Sequence, residues 1–191
     1  MPIKFTITKL LPYIFIYIGL FTAAAALNYT LNLAGLKIVL RYIGIAGTVS
    51  IILSFIYSLR KRKIIKSGKP KNLLMLHEIL AWLGALMILA HAGIDLDAVI
   101  PRIAEFTLMV VVASGITGKY LLRDAKESLK QRKTELKAKG LTEEEIEKEL
   151  FLLSTIAGKM QMWRSVHIPL TISFAAMALL HITVTVLFWR W

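Results

Sequence analysis

The chain has 191 residues and not one cysteine. That absence removes disulfides, iron–sulfur clusters, thiolate metal ligands and CxxCH haem attachment together. Histidine is nearly as scarce, with four residues, and charged residues of both signs make up only 19% of the chain. Acidic residues are the rarer sign, twelve against twenty-four Lys and Arg. The resulting net charge of +12 does not imply nucleic acid as a partner. The lysines and arginines collect in a few connecting stretches, where a membrane protein keeps its cytoplasmic positive charge.

What is present is apolar. Hydrophobic residues make up 57% of the sequence, and they form runs of about twenty residues or more, enough to cross a ~30 Å hydrocarbon layer as helices. Because a bilayer cannot solvate backbone amides, the expectation is an all-α integral membrane protein. Five transmembrane helices are expected, at about 11–30, 36–59, 72–94, 102–122 and 163–189, in a single membrane domain over 1–191. Lys4 and Lys9 precede the first apolar stretch, which is longer than a typical signal-peptide core and shows no compact small-x-small cleavage site with a polar follow-on. It reads as the first span.

The connection after span two holds Arg60-Lys61-Arg62-Lys63 and then Lys66, Lys69 and Lys71, with no acid among them. The connections after spans one and three carry few positive charges. The expected topology is therefore multi-pass in the plasma membrane, N-terminus cytoplasmic and C-terminus outside. Trp163, Trp189 and Trp191 then fall near the headgroup zones. Residues 123–161 form the one long polar stretch. Its first arm, Arg123–Lys139, has seven basic and three acidic residues; Glu143–Glu149 has five acidic and one basic. Gly140 suits a helix C-terminus and Thr142 with Glu145 suits a capping box, so a cytoplasmic helical hairpin is expected. Charge runs are usually solvated, which makes an ordinary hairpin the plainer reading than a docking site.

The four histidines carry the chemistry. His77 and His91 lie in span three, His167 and His181 in span five, each pair 14 residues apart. At about 100° and 1.5 Å per residue, that spacing turns 40° short of four full turns and rises about 21 Å. Both histidines of a pair thus face one way, one towards each membrane face. One span intervenes, so spans three and five run parallel, and His77 should face His167 while His91 faces His181. Opposed imidazoles in an apolar bundle suit two haem b groups, each with two axial histidines. Zinc or copper would require further ligands nearby, and no carboxylate cluster joins them; Glu78 points about 100° away from His77. A lone histidine in a span can simply bond a neighbouring helix. Four with matched spacing are a different matter.

This paired His-x13-His pattern resembles the di-haem cytochrome b superfamily: the four-helix core of quinol–cytochrome c reductases and the cytochrome b anchors of respiratory oxidoreductases. The resemblance covers residues 36–191, and Trp163-Arg164 before His167 with Pro169 after it resembles the entry to the second ligand helix. It implies a four-helix haem-binding bundle with the four histidines as axial ligands. Span one is additional, and the Pro-Glu-Trp-Tyr motif of quinol oxidation is missing.

Residues around a haem should be small at the ring face and cationic at the propionates. Gly84, midway between the span-three histidines, would give room between two haems; Gly44, Gly47, Ser114, Gly115 and Gly118 would admit porphyrin. Small residues also let helices pack closely, and both uses stand. Arg41 and Arg164 are candidate propionate partners, with Lys37 and Lys119 the weaker ones, snorkelling being the alternative. Glu78 and Glu105 are weak candidates for proton uptake at a quinone. The function expected is transmembrane electron transfer between unidentified redox partner proteins. The rivals are a quinone-linked oxidoreductase, an outer-surface ferric or superoxide reductase, and a haem-free transporter or assembly scaffold.

Overall fold

A computed structural model describes residues 2–93 and 99–188, with side chains except at 2–10, 119, 121, 156, 160 and 164. Helices are the only regular structure among the described residues. Five are long and apolar enough to cross a membrane: Leu11–Leu33, Lys37–Lys61, Pro70–Ala92, Val99–Ile116 and Ser165–Phe188. Their outward faces remain apolar. Phe106, Ile172 and Leu179 are 67%, 63% and 66% exposed, a surface suited to hydrocarbon and not to water.

The first helix, α1 (Pro2–Leu33), closes on Gly35 at φ +72°, a left-handed position that glycine takes at little cost. The second, α2 (Lys37–Ser54), is interrupted at Phe55 and continues as the short α3 (Ile56–Lys61), so the second span bends near its end. In α4 (Pro70–Ala92), Pro70 occupies the first turn, where its missing N–H has no intrahelical partner to lose. The fourth candidate span, α5 (Val99–Ile116), does not end in a loop. It passes through a π-helical segment, Thr117–Leu121, into α6 (Leu122–Ala138).

Next, α7 (Glu143–Gln161) returns along α6 and leads into α8 (Trp163–Phe188), which contains Pro169. The α6–α7 pair is the expected helical hairpin. Gly140 turns it at φ +77°, and the Thr142 N–H donates to Glu145 Oε2 at 2.9 Å while the Glu145 N–H reaches Thr142 Oγ1 at 3.4 Å. The arms close through Lys133 and Lys137 on Glu143, and through an apolar seam of Leu136, Ile146 and Leu150 that reading by charge alone passed over.

The spans assemble as two antiparallel pairs, α2 along α4 and α5 along α8, joined where α4 meets α5. The shared core holds Ala85, Leu89 and Ala90 of α4, Ala104 and Leu108 of α5, and Phe174 of α8. The additional helix α1 lies against α4 and adds Leu20 and Ala24 to that core. The hydroxyl of Tyr17 in α1 donates to the Met109 carbonyl of α5 at 3.0 Å. The two histidine-bearing helices, α4 and α8, make no extended close backbone contact among the described residues.

Candidate functional site

His77 lies within electrostatic reach of His167, and His91 within reach of His181. The four histidines therefore sort into two sets, one towards each end of α4 and α8. This pairing requires the two helices to run in the same direction.

What holds each ring is legible on its Nδ1 side. His77 Nδ1 lies 3.0 Å from the Ser54 carbonyl oxygen and His91 Nδ1 lies 2.9 Å from that of Leu40. A carbonyl can only accept, so both rings carry their proton on Nδ1 and leave Nε2 with a free lone pair. Both acceptors sit on α2, which therefore orients both histidines of α4. Ser54 is available because the helix breaks at Phe55, just past it.

His167 is held differently. Its Nδ1 lies 2.7 Å from Ser114 Oγ, and that hydroxyl donates its one proton to the Val111 carbonyl at 2.7 Å. The hydroxyl must then accept from Nδ1–H, and Nε2 is again free. Among the described residues, His181 has no such partner.

Aromatic rings flank the pair at one end. Tyr57 lies 5.6 Å from the His77 ring, and Trp163 lies 5.1 Å from the His167 ring, measured between centroids. The indole fits because a Cβ on Gly118 would fall 2.4 Å from Trp163 Cε2. Gly118 lies inside the π-helical segment.

The glycines divide by position. A Cβ on Gly44 would fall 2.5 Å from His91 Cγ, so Gly44 makes room for an imidazole. Gly115 sits beside His167, where a Cβ would be 3.8 Å from Cε1, an ordinary contact. Gly84 takes the packing role, one of the two that the sequence left open. It faces α2, with a Cβ falling 2.8 Å from Ile51 and 2.9 Å from the Gly47 carbonyl. Gly47 faces Gly84 in turn, so this pair permits close approach of α2 and α4, the packing role of small residues in membrane helices. Neither glycine opens space between the histidines of α4 and α8.

Of the charged candidates, Arg41 is an exposed residue of α2 that already has an interaction partner, as does Glu78 on α4. Glu105 is half-buried on α5. The side chains of Arg164 and Lys119, and residues Trp189 and Trp191, lie outside the described residues. Lys37 lines a cleft of about 450 Å³ together with Asn28, Asn32, Leu40, His91 and Gly93.

This donor set fits bis-histidine haem. Each end supplies two imidazoles, three of the four rings are fixed through Nδ1, and helices α4 and α8 make no extended close backbone contact among the described residues. No group of three or more His, Cys, Asp or Glu able to hold a bare metal ion occurs among the described residues. Sequence reasoning found the histidines but missed their supports. Backbone carbonyls at Ser54 and Leu40 leave no trace in side-chain identity, whereas Ser114 was visible only as a small residue. The chain matches no family model, no curated protein and no solved structure.

Proposed function

We propose that the chain is a di-haem membrane cytochrome of the b type that conducts electrons across the bilayer. His77 and His167 would hold one haem near the cytoplasmic face, and His91 and His181 the other near the outer face. What supports this reading is that three of the four imidazoles are engaged through Nδ1, with Nε2 left for a metal, and that His77 lies within electrostatic reach of His167 and His91 of His181. Metal-bound histidine usually donates its other ring proton to a carbonyl or similar acceptor in this way. The His-x13-His resemblance points to the same cofactor.

Bound haem would supply one-electron chemistry, and the four histidines would hold it. The residues supply the rest. The Ser54 and Leu40 carbonyls and Ser114 Oγ keep the rings in one tautomer and one orientation. Leu89, Leu108 and Phe174 keep water out of the interior between the two ends. Tyr57 and Trp163 cover the His77–His167 end. The separation of about 21 Å between successive histidines on one helix sets the two sites at different depths, one for each face. The basic stretch at 60–71 supports a cytoplasmic position for that end of the bundle.

An absorption spectrum of the purified protein tests this. Dithionite-reduced protein should show sharp b-type α and Soret bands, and a pyridine haemochrome assay should return two haems per chain. Protein purified from haem-replete cells that lacks these bands would end the reading.

A further inference from the structure

Helix α1 lies outside the four-helix arrangement, yet its last turns are polar and are tied to a candidate ligand. Asn28 Nδ2 donates to the Ala90 carbonyl at 2.8 Å, one residue before His91. Asn32 Nδ2 donates to the backbone oxygen and to Oδ1 of Asn28, at 3.0 and 3.1 Å. The end of α4 is shaped to receive this pair. Gly93 adopts φ +64°, and a Cβ there would fall 2.7 Å from Asn28 Nδ2. Asn28, Asn32, Lys37 and His91 all line the same cleft, with Leu40, whose carbonyl receives His91 Nδ1, as its apolar wall.

A haem on His91 has a requirement that its axial ligands do not meet. Two carboxylates on one edge of the porphyrin cannot rest in hydrocarbon without cationic or hydrogen-bonding partners. The cleft is polar, touches His91, and is lined among the described residues by a lysine and two carboxamides with no acidic residue. We propose that it receives the carboxylate edge of the haem held by His91, with Lys37 as its charge partner and α1 as its wall. The inference rests on the haem reading and extends the site to a helix that the histidine pattern does not include. An ammonium–carboxylate contact is among the stronger hydrogen bonds, and its positive charge favours the reduced state of nearby iron, which is one charge less positive.

Redox titration of Lys37→Gln protein, in native-like lipid, tests this. Wild type should titrate as two components, of which one disappears in His91→Ala and is thereby assigned to the outer site. In Lys37→Gln the outer component should fall in potential, its reduced-to-oxidised ratio at fixed potential dropping about tenfold, the effect of one charge at ~12 Å in a medium of ε ~20. The inner component should not move, and Lys37→Arg should restore the outer one. An unchanged outer component in Lys37→Gln would overturn the proposal while leaving the two-haem reading intact. So would a wild-type outer component that shifts with added phosphate at constant ionic strength, since the cleft would then take a free anion. Wild type without haem would sink both readings, and the spectrum alone would show which had failed first.

Discussion

Gly44 leaves no room for a methyl group, because the His91 imidazole already occupies that position. Gly44→Ala should therefore displace the ring, break its bond to the Leu40 carbonyl and cut haem content from two per chain towards one, as haemochrome assay would show. Ser114→Ala is gentler. It removes the hydroxyl at His167 Nδ1 and leaves the ring to the Val111 carbonyl alone, and losses of such supporting partners usually cost about 10–100-fold in metal-site affinity. Haem retention during dilution should fall at the His77–His167 end alone. His77→Ala or His167→Ala should empty that end and leave the other spectrum in place; equal loss of both haems from each change would contradict the pairing. The histidines were legible because helical periodicity converts a spacing of 14 into a shared face. The glycines were not. A small residue in a span can admit a ring or a neighbouring helix, and only contacts separate Gly44, under an imidazole, from Gly84, under Ile51.

The α6–α7 hairpin is an element with its own stability. Hydrogen bonds from Lys137 and then Lys133 hold the Glu143 carboxyl below its ordinary range, and the Thr142 backbone N–H followed by its hydroxyl does the same for Glu145. Both folded values lie below the unfolded ones. Their stabilisation is therefore present above the ordinary carboxylate pKa of about 4.3 and is lost as pH falls through the depressed values. Amide protection factors in the first turn of α7, corrected for the intrinsic pH dependence of exchange, should fall once the pH drops below the ordinary carboxylate range and change little between about pH 6 and 8. Both carboxylates are exposed, so the effect is confined to that turn. The seam is a firmer support. Ile146→Ala should destabilise the hairpin by about 2–4 kcal/mol, read as faster exchange throughout α6 and α7. The caps were readable from Gly140, Thr142 and Glu145 because each type does a distinct job at a helix end. The seam was readable too, from Ile146, Leu150 and Leu153 at helical spacing, but the surrounding charge drew attention away. The π-helical segment has no comparable signature in Thr117–Leu121.

For the whole molecule, length and hydropathy were enough to find the five candidate spans, since an apolar helix needs only to outlast the hydrocarbon. Where α1 would sit was not readable, because lipid-facing and helix-facing apolar residues look alike; Tyr17 and Asn28 place it. The absence of cysteine makes orientation simple to measure. Single substitutions Lys66→Cys and Asn32→Cys each introduce the only thiol. A membrane-impermeant maleimide added to intact cells should label the second and not the first, and the reverse would invert the molecule. A last consequence comes from the amide of Leu122, which bonds the carbonyl of Thr117, five residues back. Such a ring contains one residue more than an α-turn, so the chain beyond it is rotated by about 100° relative to an unbroken helix. That surplus residue aims the hairpin: it brings Asp124 to within 2.6 Å of the Tyr13 hydroxyl. Excising a single residue from this stretch should swing the projecting arm a quarter-turn around the molecule while the buried bundle keeps its shape.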